Sequence, residues 1–335
     1  MKKNFYYMIV TALLFMGYCL TCRAQVTYFE TNNFLLNLFS STGSVSYDWR
    51  FEPQKTDYER GQLKGMPTKI VTNIKDNTGR GFGTQFTDTT YYNAQGNITK
   101  VVALKKDEYN PSNKFRPDEY VYKYNTEGQL TNWTKFSETD NIDGHHLTKH
   151  VHDINRDNQG RATQEIYRAY TLKGQKWEDF TTGDGLNYTF SYDANGNLSG
   201  GKMFFPAYDL TYQNGQLVKL TAEGFNKPIT YTYDAQGRMT AFKFYAIDGM
   251  DIEEYYETGV TLTYNEKGNI AKAVKTTWIC NSKWVRRRAI ETCTYTMTYT
   301  YDAQGNWTKA VIQSKSGKSP SQKAFEINRS IEYTR

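Results

Sequence analysis

Apolar and polar residues alternate strictly along several stretches of the chain. In Thr294–Tyr301, "TYTMTYTY", the tyrosines and the methionine fall on one face and the threonines on the other. Val260–Tyr264, "VTLTY", repeats this pattern. A period of two predicts β-strands that bury one face, and no stretch after residue 25 has the pattern of an amphipathic helix. The chain is therefore predicted to be all-β.

One recurring turn sequence separates these strands. A tyrosine is followed by Asp or Asn, two variable residues, a glycine and, two positions later, a large apolar residue, as in "YDAQGRM" (233–239). Eight copies of this turn, one of them decayed and one shortened, carry the glycines Gly96, Gly128, Gly160, Gly196, Gly215, Gly237, Gly268 and Gly305. Successive glycines are 19 to 37 residues apart. Such recurrence indicates one supersecondary unit repeated along the chain.

The turn sequence specifies a hairpin. Asp or Asn, two residues and Gly form a type I turn whose glycine takes the left-handed conformation that other residues adopt only at a cost. This connection places Tyr233 opposite Met239 across the two strands. The copy at Gly215 is one residue shorter and predicts a two-residue turn that still pairs Tyr212 with Leu217. Aromatic–aliphatic pairs of this kind each stabilise a sheet by about 0.2–1 kcal/mol.

These hairpins resemble the YD repeats of the RHS family over about residues 90–310, roughly two thirds of the chain. The leader that ends in "AQ", "LKGMPTKI" at 63–70, "GNWTK" at 305–309 and "NRSIEY" at 328–333 resemble parts of short secreted YD-repeat proteins of Bacteroidetes. The resemblance implies a β-hairpin array at the cell surface or in the envelope, associated with carbohydrate binding or toxin encapsulation. Because the sequence ends about thirty residues after the last turn, we expect no C-terminal toxic domain.

We therefore predict an array of antiparallel β-hairpin repeats that forms an extended, twisted or curled sheet. Residues 1–24 have the layout of a signal peptide, with Lys2 and Lys3 before an apolar run and Ala24 at the exit. Lipid attachment at Cys22 is the alternative to plain cleavage. Residues 25–90 are predicted to form an N-terminal cap and residues 91–335 the array. The protein is expected to be exported, to the periplasm, the outer membrane or the medium, without a membrane span.

Charge and cysteine content limit the possible partners. The formal charge of +6 falls to +3 when Lys2, Lys3 and Arg23 leave with the leader, which argues against nucleic-acid binding. Only Cys280 and Cys293 then remain, and export makes them candidates for a disulfide. A turn just after Cys280 would instead place that residue opposite one near position 285. A bridge and two separate thiols therefore both stay open.

Recognisable catalytic motifs are missing from the sequence. It has no Gly-x-Ser-x-Gly elbow, phosphate-binding Gly-Lys-Ser/Thr loop or His-Glu-x-x-His motif, so we expect a non-enzyme without a cofactor. All four histidines lie in "HHLTKHVH" at 145–152. On a strand His146, His150 and His152 would share a face, which predicts either a transition-metal site or a polar, exposed strand.

The segment "TWICNSKWVRRR" at 277–288 combines two indoles with three consecutive arginines. Indoles stack on sugar rings, and the planar guanidinium fork suits acidic groups. The segment predicts a ligand site made of Trp278, Trp284, Arg286, Arg287 and Arg288. The alternative is that the arginines only protect a strand edge from pairing. We expect a non-catalytic protein that binds a glycan or another envelope polymer; the alternative is a structural scaffold that binds a secreted protein partner.

Overall fold

The computed structural model describes residues 55–77, 85–106, 117–141, 144–181, 186–204, 207–222, 227–248 and 254–334. The predicted signal peptide and the first part of the predicted cap lie outside these residues. One short helix, α1 (Asp57–Gly61), precedes the strands. No helix of the described part is long and apolar enough to cross a membrane.

Nineteen strands follow in the described part of the chain. They are β1 (Pro67–Asp76), β2 (Gln85–Tyr92), β3 (Ile98–Lys106), β4 (Asp118–Tyr124), β5 (Leu130–Asn141), β6 (Gly144–Arg156), β7 (Ala162–Lys173), β8 (Lys176–Asp179), β9 (Leu186–Tyr192), β10 (Leu198–Phe204), β11 (Ala207–Gln213), β12 (Gln216–Ala222), β13 (Ile229–Tyr233), β14 (Met239–Asp248), β15 (Glu254–Tyr264), β16 (Ile270–Cys280), β17 (Arg286–Tyr301), β18 (Trp307–Ser316) and β19 (Gln322–Tyr333). All pairings between them are antiparallel, which confirms the predicted all-β class.

The sheet closes on itself because β1 pairs with both β2 and β19. Only β8 stands apart. It pairs with the second half of β7, from Tyr170 to Lys173, whereas β9 pairs with Gln164–Tyr167 in the first half. Eighteen strands thus form a barrel, with β8 as a side strand. The predicted extended, twisted or curled sheet is thus corrected to a closed barrel. The motif specifies each hairpin locally, but closure depends on twist summed over all the strands and on pairing between residues more than 250 positions apart.

The eight motif glycines all have positive φ, between +73° and +89°. At a typical turn the amide of Gly237 donates to the carbonyl of Asp234 at 3.0 Å, and the amide of Asp234 donates to Arg238 at 2.9 Å. Tyr233 lies opposite Met239, as predicted, with a bulge beside the pair. Because alternate connections of an antiparallel sheet lie at the same end, these eight turns form one end of the barrel, here called the repeat rim.

The motif tyrosines also link neighbouring repeats, which the sequence did not reveal. The hydroxyl of Tyr233 donates to the carbonyl of Leu217 at 2.7 Å, and Leu217 is the bulge-side residue of the preceding turn. Tyr124, Tyr192 and Tyr264 donate in the same way to Ile98, Ala162 and Met239. In the decayed copy Arg156 takes the place of tyrosine and donates to Leu130 at 2.7 Å. The bulge removes this backbone carbonyl from the hydrogen-bond ladder of the sheet. The tyrosine hydroxyl, or Arg156 in the decayed copy, supplies the hydrogen-bond donor that the carbonyl would otherwise lack.

Apolar side chains fill the inside of the barrel. Tyr120 and Ile270 are 0% exposed and Phe244 is 1% exposed. An 18-strand barrel of circular section would hold water in its lumen and leave inward side chains wet, so burial this complete indicates a packed interior at these levels. The outer face is polar instead: Thr296 and Thr298 are exposed. Ion pairs such as Lys69–Glu332 also lie between neighbouring strands.

The described part of the predicted cap lies across the repeat rim. A carboxylate oxygen of Asp57 accepts from the amide of Ile98 at 2.7 Å and from the hydroxyl of Tyr124 at 3.2 Å. Further along, the amide of Lys64 donates to the side chain of Asn306 at 2.9 Å. Residues 55–66 therefore contact turns on both sides of the β1–β19 seam, while β1 and β2 belong to the barrel wall.

Candidate functional site

The outer face of β14–β17, at the end opposite the repeat rim, carries the strongest candidate site. Its turn joins β16 to β17 at Asn281–Val285. The amide of Trp284 donates to the carbonyl of Asn281 at 2.8 Å, and the amide of Asn281 donates to Val285 at 3.0 Å. The Asn281 side chain accepts from the amides of Lys283 and Val285. These hydrogen bonds reproduce those of the repeat turns, but Trp284, with φ +61°, occupies the position of the glycine.

An aromatic residue in the left-handed region strains the backbone by about 1–2 kcal/mol. Two aromatic contacts of the Trp284 indole offset part of this strain energy. Its centroid lies 5.1 Å from that of Tyr245 and 5.1 Å from that of Tyr255, at interplanar angles of 84° and 87°. Such edge-to-face pairs stabilise by about 0.5–1.5 kcal/mol each. The turn therefore holds three partly exposed rings together on the outer face.

Trp278 lies beside this group but is covered on both faces. A Cβ atom at Gly259 would come within 3.2 Å of its Cζ3 atom, so the indole lies against the bare backbone of the neighbouring strand. The guanidinium of Arg286 lies 3.8 Å from the ring centroid. Trp278 therefore supports the site rather than offering a free stacking surface.

Glu257 holds Arg286 in place. This carboxylate is only 5% exposed; it accepts from Nε of Arg286 at 3.0 Å and also from Nη2. Lys243 lies 3.5 Å from the same oxygen. A buried carboxylate needs such charged donors to offset its lost hydration. We call Tyr245, Tyr255, Glu257, Trp278, Trp284 and Arg286 the Trp284 cluster.

Cations lie beside the cluster. Arg287 and Arg288 are exposed and have no ion-pair partner among the described residues, but Arg288 pairs in register with Ile279 and so lies on the sheet face opposite to Trp278. The ammonium group of Lys227 lies 5.3 Å from the ring of Tyr245 and 5.9 Å from that of Trp284. Of the predicted site residues, the structure thus brings Trp278 and Arg286 into contact and places Trp284 in the turn that joins their strands, with Arg287 and Arg288 next along β17.

The sequence did not point to Tyr245, Tyr255 or Glu257, which lie on other strands, or to Lys227, which lies just before β13. One local signal was available. "NSKW" has the spacing of the repeat turn with tryptophan in place of glycine.

The structure also shows whether the two cysteines of the described chain form a disulfide. Cys280 and Cys293 are both buried and free. Cys280 pairs in register with Arg286, and Cys293 with Lys275, so the turn directs the two thiols to different partners. Burial raises the pKa of the Cys280 thiol, and the Glu257 carboxylate raises it further. Burial likewise raises the pKa of Tyr245, again with a contribution from Glu257.

His146, His150 and His152 lie on the inner face of β6 together with the buried Thr148, so the prediction of a polar, exposed strand is wrong. His152 is stacked on Trp133 with 3.6 Å between ring centroids, and its Nδ1 lies 2.5 Å from a Glu165 oxygen. Nδ1 of His150 lies 2.7 Å from the Tyr167 hydroxyl. These two rings are engaged in the packed interior, and no group of three or more His, Cys, Asp or Glu side chains in the described residues is arranged to hold a metal. The predicted site at His146, His150 and His152 is therefore not formed.

No protein-family model matches the sequence, and no curated protein matches it. Among solved structures, a porin-like protein from Bacteroides uniformis is 14% identical, with 81% of this chain and 99% of that chain covered and a TM-score of 0.32. A porin-like protein from Bacteroides vulgatus is 11% identical with the same coverage and a TM-score of 0.36. The TcdB2-TccC3-Cdc42 complex is 13% identical, covers 76% of this chain and 19% of that chain, and has a TM-score of 0.20. These likenesses assign the chain to no family, and no function is drawn from them.

Proposed function

We propose that this chain is an exported, non-catalytic protein that binds an acidic carbohydrate, or another acidic polymer of the cell envelope, through the Trp284 cluster. The observation that carries the proposal is the position of Trp284. The chain uses glycine at seven equivalent turn positions but keeps a strained tryptophan at this one. Retained strain with an outward aromatic side chain is typical of a functional position.

The chemistry of the cluster fits such a ligand. The rings of Trp284, Tyr245 and Tyr255 offer apolar edges and faces to the C–H groups of a sugar. Arg287 is exposed, so its guanidinium group is available to carboxylate or phosphate oxygens. Glu257 is already neutralised by Arg286, so it opposes an anionic ligand only weakly.

The surroundings support binding at an aqueous surface. Lipid-facing sheets present an apolar band, whereas the outer face of β17 carries exposed threonines. The leader pattern of residues 1–24 supports a location outside the cytoplasm, in the periplasm, at the outer membrane or in the medium. Membership of the RHS family of YD-repeat proteins belongs to the same proposal and rests on the repeat motif.

A scaffold that recruits a protein by strand addition is less well supported. Closure of the barrel pairs both terminal strands and removes the open edges that strand addition requires. Stretches of edge persist along β8, which pairs only with β7, and where strands extend beyond their neighbours, as at residues 286–291 of β17, since β18 pairs only from Cys293 onward. The β17 stretch carries three adjacent arginines and two bulges, both of which discourage pairing.

Calorimetric titration of polygalacturonate, a polymer of acidic sugars, tests the proposal. Saturable binding is expected to weaken as the salt concentration rises from about 0.05 to 0.3 M. A Trp284→Ala, Arg287→Ala double variant should bind at least about tenfold more weakly. Lys272→Ala, which removes an exposed cation of β16 outside the cluster, should bind normally, and neutral dextran should bind weakly to every variant. Equal affinity in the double variant and the wild type, or no binding to either polymer, would contradict the proposal.

A further inference from the structure

A second aromatic and cationic group lies on the outer face of β5–β8. Phe136, Lys149 and Tyr170 lie directly opposite one another on three neighbouring strands. Trp177 on β8 lies over this row, with its ring centroid 6.2 Å from that of Phe136. The Lys149 ammonium is 4.3 Å from the ring centroid of Tyr170 and 5.0 Å from that of Trp177. We call these four residues the Trp177 cluster.

The strand that brings Trp177 to this place is not needed for the barrel. β9 already continues the ring from the first half of β7, and β8 adds four residues that pair only with the second half. Trp177 lies opposite Leu172 in that pairing, two positions from Tyr170 on the same strand. The side strand thus has one evident effect, which is to place an indole over an outward row.

The Trp177 cluster has the chemistry expected for an acidic sugar. All four side chains are partly exposed. Lys149 has no ion-pair partner among the described residues, so its ammonium group is free to meet a carboxylate beside two aromatic rings. Burial of the lysine stem between rings also limits its motion, which reduces the ordering entropy lost on binding.

The two clusters face in opposite directions. From the β6–β7 pair to the β15–β16 pair the ring runs through eight strand spacings one way and ten the other. At about 4.8 Å per spacing the shorter surface path is about 40 Å. A short ligand bound at one cluster therefore cannot touch the other.

We infer that the barrel has two polymer-binding faces on opposite sides, so that one molecule bridges two polymer chains. The inference rests on the proposed function of the Trp284 cluster and adds a second site of the same ligand class. Two sites on one rigid body hold a polymer network together more strongly than either site alone, by about 10²–10⁴-fold where both engage.

Titration with tetragalacturonate, which is too short to span both clusters, measures the number of sites. The wild type should bind two equivalents, and Trp177→Ala and Trp284→Ala one each. Polygalacturonate-coated beads should clump with the wild type and stay dispersed with either variant. Lys149→Gln, which leaves all the rings in place, should likewise remove one equivalent, so the test survives if Trp177→Ala fails to fold.

The possible failures are distinguishable. A single equivalent in the wild type, lost with Trp284→Ala and kept with Trp177→Ala and Lys149→Gln, would overturn the second face and leave the proposed function intact. A complete lack of binding by the wild type would overturn both. A single equivalent lost only with Trp177→Ala would overturn the Trp284 site and the bridging together.

Discussion

The two ends of the barrel contain the same turn with one difference. At the repeat rim, Gly237 closes a turn whose hydrogen bonds match those at Asn281–Val285 on the opposite end. The difference is the residue in the left-handed position, glycine in one and Trp284 in the other. Since glycine adopts this conformation without strain, the repeat rim is optimised for folding. At the opposite end, the positive φ of Trp284 lowers backbone stability, while its indole is held against Tyr245 and Tyr255.

A second pair of residues sharpens the contrast. The Arg329 guanidinium lies 3.4 Å from the ring centroid of Trp307, much as Arg286 lies 3.8 Å from that of Trp278. Trp307, beside the repeat rim, is 6% exposed and belongs to the core, whereas the Trp278 stack supports an outward cluster. A stacked arginine and indole therefore do not by themselves mark a site; the face of the sheet on which they lie does.

The largest predicted effect is a loss of folding stability at low pH, which should affect both ends of the barrel. Burial, aided by Lys135 and His152, lowers the pKa of His150 to about 4. The unfolded chain, with a histidine pKa near 6.5, takes up the proton first, so this contribution is complete above pH 6.5 and is lost as the pH falls to about 4. It amounts to about 3 kcal/mol. Amide protection factors, which are corrected for the slower intrinsic exchange at low pH, should fall in parallel at both turns over this range, and less so in His150→Gln. A fall in protection at one end alone would contradict a single closed barrel.

Gly128→Val should be the next most damaging change. The nearest side-chain atom to a Cβ at this position is 3.7 Å away, so there is room for the side chain and the cost lies in the backbone at φ +77°. We expect a loss of about 2 kcal/mol in the free energy of unfolding, measured with urea. An unchanged midpoint would mean that the repeat rim does not depend on glycine.

Tyr233→Phe tests the link between repeats. It removes the hydroxyl that donates to the carbonyl of Leu217 and should lower the free energy of unfolding by about 1.5 kcal/mol. Tyr91→Phe is the matched control, since Tyr91 is 36% exposed on the outer face; it should be close to neutral. Equal effects of the two changes would remove the special role of the motif hydroxyl.

The smallest predicted effect isolates the backbone strain at Trp284. Trp284→Ala and Trp284→Gly lose the same indole contacts, but only alanine keeps a Cβ atom at positive φ. The glycine variant should be more stable than the alanine variant by about 1 kcal/mol in urea. If the two variants unfold at the same urea concentration, the backbone at Trp284 is not strained, and the contrast drawn between the two ends is wrong.

The sequence allowed the hairpins to be predicted but not their assembly. The eight turns, their left-handed glycines and the pairing of Tyr233 with Met239 follow from spacing within a few residues. Closure depends on β1 meeting β19, and the Trp284 cluster depends on Tyr245, Tyr255 and Glu257, which reach the turn only through the register of β14–β16. Alternation along β6 shows that His146, His150 and His152 share one face of the strand. It does not show whether that face points into the barrel or out of it, so their burial could not be inferred.

The most direct test of the central claim is an NMR titration of the indole N–H signals with tetragalacturonate. The signal of Trp284, assigned through Trp284→Phe, should shift saturably, while that of Trp307 in the core beside the repeat rim should stay in place. A stationary Trp284 signal, or equal shifts at both indoles, would contradict the claim that Trp284 keeps its strained position in order to bind a ligand.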